Sequence, residues 1–226
     1  MLIRIPAVLN AEEVAQFRKR MDAAAWVDGN VTSGHQSAKA KYNEQLPEDS
    51  VEARELGELV LQALSRSHLF FTAALPRQVY PPLFNRYREG MTFGSHVDGA
   101  IRAHPHQPVR IRTDLSATLF LAAPEEYDGG ELLIEDSYGA QQVKLPAGDM
   151  ILYPATSLHR VAPITRGTRV ASFFWIQSMV RGDAQRALLF DMDMALVRLM
   201  KDRSNDPALV SLTGVYHNLL RMWSET

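Results

Sequence analysis

The chain changes hydrophobic period twice. Apolar residues recur at helical spacing near both ends, and a two-residue alternation fills the middle. Residues 2–5 read as a short strand stopped by Pro6. Asn10 then precedes Val14, Phe17, Met21, Ala24 and Ala25, with Glu13 three positions on, which predicts a helix closed by a capping-box pair. Residues 28–43 are polar and predict a loop. A second helix is predicted over 49–67, its stripe formed by Leu56, Leu59, Val60, Ala63 and Leu64. Phe70 to Pro76 reads as a transition. From Arg77 the period shortens, and strands are predicted at 79–80, 83–87, 92–97, 115–123, 131–135, 141–145, 150–153 and 169–177, punctuated by Gly, Pro and Asp. Short strands at this density predict a sandwich or jelly roll, and Pro81-Pro82 puts its first strand at an edge or bulge. Helical spacing returns over 186–200, and Asp206-Pro207 opens a last helix carrying Leu209, Tyr216 and Trp223 on one face. The expected fold class is α+β: N-terminal helices on a jelly-roll core, then a C-terminal helical extension.

At 226 residues, with 46% hydrophobic and 22% charged positions, the composition is that of a soluble globular chain able to bury a full core. The formal charge of −2 speaks against a nucleic-acid partner. The absence of cysteine excludes disulfides, thiolate metal sites and a cysteine nucleophile, so any metal must be held by histidine and carboxylate. The N-terminus is too quickly interrupted by charge for a signal peptide, and no apolar run approaches the ~18 residues of a membrane span. The expectation is a cytoplasmic protein without a membrane partner.

The middle of the chain carries the chemistry. In Gly94-Ser-His-Val-Asp98, an extended backbone points His96 and Asp98 to one face and Val97 to the other. His159, on a second predicted strand–turn–strand segment, completes a set of two imidazoles and one carboxylate. That set covers one face of a six-coordinate metal and leaves the opposite positions open, as in non-haem Fe(II) enzymes that activate O2. Ten residues on, Arg169 opens the run Arg-Val-Ala-Ser-Phe-Phe-Trp. Its alternation partners are Ala171, Phe173 and Trp175, the bulkier face, so the guanidinium points inward and needs an anion.

His-x-Asp, a gap of about sixty residues, His, and Arg ten later resembles the Fe(II)- and 2-oxoglutarate-dependent dioxygenases of the prolyl 4-hydroxylase type, and more closely the bacterial PKHD-type hydroxylases. Asn85-Arg-Tyr87-Arg-Glu-Gly90, Asp128-Gly-Gly-Glu-Leu-Leu and Gly148-Asp-Met-Ile-Leu-Tyr-Pro add to the resemblance, which covers about 78–178. The resemblance implies a double-stranded β-helix core over 78–178, a helical support region over 1–77 and a helical extension over 179–226. It implies Fe(II) on His96, Asp98 and His159, and 2-oxoglutarate with its distal carboxylate on Arg169. Tyr87 is then either a hydroxyl donor to a 2-oxoglutarate carboxylate or a satisfied core tyrosine. Further implications are ascorbate as reductant, and an unactivated C–H of a peptidyl (prolyl-like) or small-molecule substrate, with a link to iron uptake.

Other positions have two readings. The segment 99–109, with His104-Pro-His106, reads as a surface loop and substrate lid rather than a second metal site. Arg102, Arg110 and Arg112 are either partners of an acidic substrate or solvated. In the loop 28–43, His35 reads as exposed, while Lys39, Lys41 and Tyr42 are candidates for a pocket wall. His217, Asp191 and Asp193 are assigned no catalytic role. The C-terminal stripe serves as a core extension or a homodimer interface. Two other classes share the three ligands: a non-catalytic iron- and 2-oxoglutarate-binding sensor, and a Zn(II) hydrolase, which would leave Arg169 without a task.

Overall fold

The computed structural model describes residues 1–32, 40–136, 139–202 and 206–225. His35 and Lys39 lie outside the described residues. Among the described residues there are sixteen strands and five α-helices.

Two antiparallel sheets form the core. The larger runs in the order β1 (Ile3–Ile5), β14 (Met150–Pro154), β10 (Leu115–Phe120), β16 (Ile164–Ser178), β6 (Leu83–Arg88), β4 (Glu44–Gln45) and β2 (Val27–Asp28). Two further strands, β5 (Pro76–Val79) and β11 (Tyr127–Gly129), also pair with β16. The smaller sheet runs β13 (Gly139–Val143), β12 (Leu132–Asp136), β15 (His159–Val161), β7 (Thr92–His96), β3 (Lys41–Tyr42). Leu119, Phe174 and Ile176 of the larger sheet and Leu132, Ile134 and Val161 of the smaller one share one hydrophobic core. The sheets therefore pack face to face, the arrangement of a jelly roll. Strands from the N-terminal part of the sequence join the sheets, so β1 and β3 build the core although they precede the strand-rich region.

The N-terminal helices cover the larger sheet. Helix α1 (Ala11–Ala23) has the predicted capping box: the Asn10 side chain accepts from the Glu13 amide at 2.9 Å, and the Glu13 carboxylate accepts from the Asn10 amide at 2.8 Å. Its Phe17 ring lies 6.3 Å from that of Phe84 on β6. Helix α2 (Val51–Ser65) buries Leu56, Val60, Ala63 and Leu64. The segment read as a transition forms a third helix, α3 (His68–Ala74), capped by Ser67 and ended by Leu75 at a left-handed φ of 42°. Its seven residues are too few and too uniformly apolar to carry a readable period.

Helices α4 (Asp183–Asp202) and α5 (Pro207–Trp223) pack on each other, and Leu189, Leu196, Leu209 and Tyr216 form a second core with Leu75 and Val180. Leu209 and Tyr216 of the predicted stripe are used in this way, while Leu212 stays 41% exposed. Arg186 is buried and donates to the carbonyls of Val180 and Arg181, which fixes α4 to the end of β16. No helix is long and apolar enough to cross a membrane among the described residues.

Candidate active site

The site lies between the sheets, in a cavity of about 530 Å³. His96 ends β7 and faces its cross-strand partner His159 on β15. The strand stops at His96, one residue short of the expectation, yet Asp98 turns back to the same side and Val97 is 50% exposed. One ligand atom from each of His96, Asp98 and His159 falls within 4.8 Å of the others. The Nε2 atoms of His96 and His159 lie 3.9 and 3.7 Å from the two Asp98 oxygens.

The backbone sets both tautomers. A carbonyl oxygen only accepts, so the 2.8 Å contact of His96 Nδ1 with Gly94 O and the 3.0 Å contact of His159 Nδ1 with Ser157 O place the protons on Nδ1. Both Nε2 lone pairs are left facing the carboxylate. Burial, reinforced by the neighbouring His159, pushes the His96 pKa down to about 4, so its imidazole is neutral at neutral pH. Two imidazole nitrogens and one carboxylate thus converge on a single position. Phe93 stacks on His96 at 3.7 Å, and Tyr153 meets His159 edge-on at 5.2 Å, which holds the rings in place. The Ser116 hydroxyl on β10 donates to Asp98 Oδ2 at 2.6 Å. Such a donor set fits a divalent cation and lacks the thiolates that would favour a structural zinc.

A second group closes the cavity. Arg169 is 2% exposed, sits opposite Tyr87 in the β16–β6 register, and lies with its guanidinium carbon 5.4 Å from the Tyr87 ring and 5.3 Å from that of Phe120. No carboxylate pairs with it among the described residues, and its Nε has no hydrogen-bond partner. Side-chain amide atoms of Asn43 and Asn85, which line the same cavity, are likewise buried without partners. Tyr87 is 1% exposed; burial raises its pKa, against the opposing Arg169 charge, so its hydroxyl stays protonated and able to donate. A buried cation ringed by unsatisfied polar atoms is costly alone and is relieved by an anionic ligand.

Of the residues singled out from sequence, His96, Asp98, His159, Arg169 and Tyr87 all line this cavity, as does Lys41. Tyr42 is 58% exposed and does not. The segment read as a loop at 99–109 begins a hairpin instead: β8 (Ile101–Ala103) pairs with β9 (Arg110–Arg112). Its two three-residue arms are hidden in the sequence by the prolines between them. Arg112 binds Asp114 at 2.7 Å and Glu225 at 3.0 Å, and so has a structural role; Arg110 is exposed, and Arg102 lines the cavity. Ser116 and Asn43 escaped the sequence reading. For Ser116 a signal existed, because Ser116 and Thr118 are the polar positions, two apart, of an otherwise apolar strand.

This fold and site define a class of enzyme. Residues 82–177 match the 2OG-Fe(II) oxygenase superfamily, and residues 183–225 match the PKHD-type hydroxylase C-terminal domain. The chain is 65% identical over 228 residues to a PKHD-type hydroxylase of Burkholderia ambifaria (strain MC40-6), and 62% identical over 232 residues to one of Xanthomonas campestris pv. campestris (strain B100). Both alignments cover 100% of this chain and 100% of the relative. The chain belongs to the PKHD-type hydroxylases and is a 2-oxoglutarate-dependent oxidoreductase. Solved structures share its fold. A Pseudomonas putida prolyl-4-hydroxylase aligns with TM-score 0.52 and 18% identity over 78% of this chain and 92% of that one. HygX from Streptomyces hygroscopicus, with nickel, 2-oxoglutarate and hygromycin B bound, aligns with TM-score 0.51 and 15% identity over 76% of this chain and 81% of that one.

Proposed function

We propose that His96, Asp98 and His159 hold Fe(II), that Arg169 binds the distal carboxylate of 2-oxoglutarate, and that Tyr87 donates to a carboxylate of the same molecule. The observation that carries this reading is the buried, unpaired Arg169 on the same cavity as a converged two-histidine, one-carboxylate set. When bound, the metal and co-substrate supply an oxidant for an unactivated C–H, with 2-oxoglutarate converted to succinate and CO2.

The chain's own residues bind and orient. The Gly94 and Ser157 carbonyls keep both Nε2 lone pairs turned to the metal position, and Ser116 fixes the rotation of the Asp98 carboxylate. A planar guanidinium meets a carboxylate with two parallel hydrogen bonds, which an ammonium does not reproduce. Phe93, Leu132 and Val161 line the cavity and limit water near the metal position.

The substrate contributes a peptidyl, prolyl-like C–H or that of a small molecule. Two structural neighbours, a prolyl-4-hydroxylase and a protein holding hygromycin B, support one each. Ascorbate would be the reductant that keeps a metal held by His96, Asp98 and His159 as Fe(II), and the activity would serve iron uptake. Residues 1–77 support the catalytic region 78–178, and residues 179–226 extend it.

The test is release of succinate from 2-oxoglutarate under air with added Fe(II). Wild-type protein releases succinate, and Asp98→Ala protein of unchanged fold releases none. Equal release from the two overturns the proposal.

A further inference from the structure

The helical hairpin at the C-terminus carries more apolar surface than its own packing uses. Four residues join α4 to α5, and Val180, ahead of α4, pairs with Ser224, just past α5, so the two helices run antiparallel. Leu189 and Leu196 of α4 share a core with Leu209, Tyr216, Leu220 and Trp223 of α5. A second apolar stripe runs beside that packed one in each helix. Leu188 and Ala195 directly precede Leu189 and Leu196, and Ala208, Val215, Leu219 and Met222 directly precede the four packed residues of α5. Met192 and Leu199 on α4 and Leu212 on α5 complete the outer stripes, whose members follow one another at three or four residues, the spacing of a coiled-coil seam. Most of this surface meets water: Leu188 is 60% exposed and Met222 74%.

One position back along a helix is a turn of about 100° in a fixed sense. In an antiparallel pair, equal turns bring both outer stripes to the same side, which makes one apolar face two helices wide. That face is about 25 Å long at about 1.5 Å per residue and roughly 20 Å across. Covering it in two copies would remove on the order of 1,200 Å² from water, at the lower end of stable, specific interfaces. Either helix alone would give about half of that, so the occupant has to engage both. Charge narrows the choice of occupant. Arg221 is the one charged side chain of α5, and it directly follows a packed residue, as do Val210 and His217, so these lie on the opposite flank. A membrane surface requires basic residues beside the apolar stripe, and a charged partner requires countercharges in it. An uncharged face is compatible with itself. At its rim, Asp191 and Arg198 are exposed and form no ion pair among the described residues. They are opposite in sign and seven residues apart, so a two-fold axis near Ala195 would bring each to the other's copy.

We propose that this face binds a second copy of the chain, hairpin against hairpin, in a four-helix bundle about a two-fold axis. Glu225, two residues past α5, binds Arg112 of β9 at 3.0 Å, so the bundle also braces the hairpin that carries Arg102 to the cavity wall.

The experiment is sedimentation of the full, Mn(II)-loaded chain from about 1 to about 100 μM, with circular dichroism to report the fold. Wild type is expected to sediment at twice the mass of one chain. Leu212→Glu puts a charge into the seam of each copy and is expected to weaken association about 100-fold or more with helicity kept, while Val210→Glu on the opposite flank leaves it unchanged. A second measurement does not depend on a destabilising change. The chain has no cysteine, so Ala195→Cys and Val210→Cys each introduce a single thiol. Under mild oxidation Ala195→Cys, beside the axis, is expected to form a disulfide-linked pair and Val210→Cys is not. Wild type remaining a single chain at about 100 μM overturns the inference, whether or not it captures an anionic vesicle or another protein. So does a dimer that a folded Leu212→Glu leaves intact, one lost in Val210→Glu, or linkage through position 210 and not 195.

Discussion

Replacing Arg169 by Met separates a structural cation from a ligand-binding one. Arg169 is 2% exposed and has no carboxylate partner among the described residues. Taking an ion out of water costs several kcal/mol even after relaxation. The faces of Tyr87 and Phe120, 5.4 and 5.3 Å away, return about 2 kcal/mol each at desolvated sites. The charge is therefore close to neutral or net costly for the ligand-free fold, and a methionine of similar length fills the space without it. Ligand-free Arg169→Met protein is expected to be as stable as wild type within about 1 kcal/mol, or more stable. Binding of 2-oxoglutarate loses a buried charge-assisted pair, at a cost of about 2–5 kcal/mol, or roughly 30- to 4,000-fold in Kd. The assay is thermal unfolding of Mn(II)-loaded protein with and without 2-oxoglutarate. At about 100 times Kd a ligand stabilises by ~2.7 kcal/mol, which for a chain of this size raises Tm by about 5–11 °C. Wild type shows that rise, and Arg169→Met at the same concentration shows at most about a third of it. A variant that unfolds several kcal/mol more easily yet keeps the full rise would show that Arg169 is a structural cation, and the argument would fail.

Other expectations follow from particular contacts. Ser116→Ala removes the 2.6 Å hydrogen bond to Asp98 and should weaken metal binding by about 10- to 100-fold in a metal titration, with unchanged affinity counting against the role given to Ser116. Phe84→Ala opens a cavity beneath α1, where Phe84 is 0% exposed, and should cost about 3–5 kcal/mol in denaturant unfolding; a loss below 1 kcal/mol would contradict the packing. Asn10→Ala should cost about 1 kcal/mol through loss of the α1 cap, read in the same way. The Glu13 carboxyl is held below its usual 4.5, first by the Asn10 amide and also by Arg66. A depressed carboxyl stabilises the fold above its unfolded pKa and stops doing so as pH falls through the folded value. The stability advantage of wild type over Glu13→Gln should therefore be full at neutral pH and vanish in acid, and an advantage that grows in acid would refute the assignment.

Much of the site was legible because it is local or periodic. His96 and Asp98 are two apart, His159 opens β15, and Arg169 lies in β16, where alternation with Ala171, Phe173 and Trp175 shows which way it points. The α1 cap was legible for the same reason, since Asn10 and Glu13 bond each other across one turn. What stayed hidden depends on distant pairing. Of the two Arg112 partners, Asp114 is two residues away but Glu225 is 113 away, so the local sequence shows only half of what makes Arg112 structural rather than substrate-facing. Arg102 reads like Arg110 in the sequence, and only the β8–β9 register and the approach of Trp175 separate them. Helix α3 was missed because a capped single stretch of seven residues owes its helicity to packing rather than to its own pattern.

The central claim is that one cavity holds the metal and the dicarboxylate together. It is tested most directly by anaerobic titration of the metal-free protein with Fe(II) and then 2-oxoglutarate, followed by visible absorption, in wild type, His159→Ala and Arg169→Met. The account predicts a charge-transfer band that appears in wild type only when both are present, is absent in His159→Ala and needs far more 2-oxoglutarate in Arg169→Met. No band in wild type, or a band of full strength in His159→Ala, would contradict it.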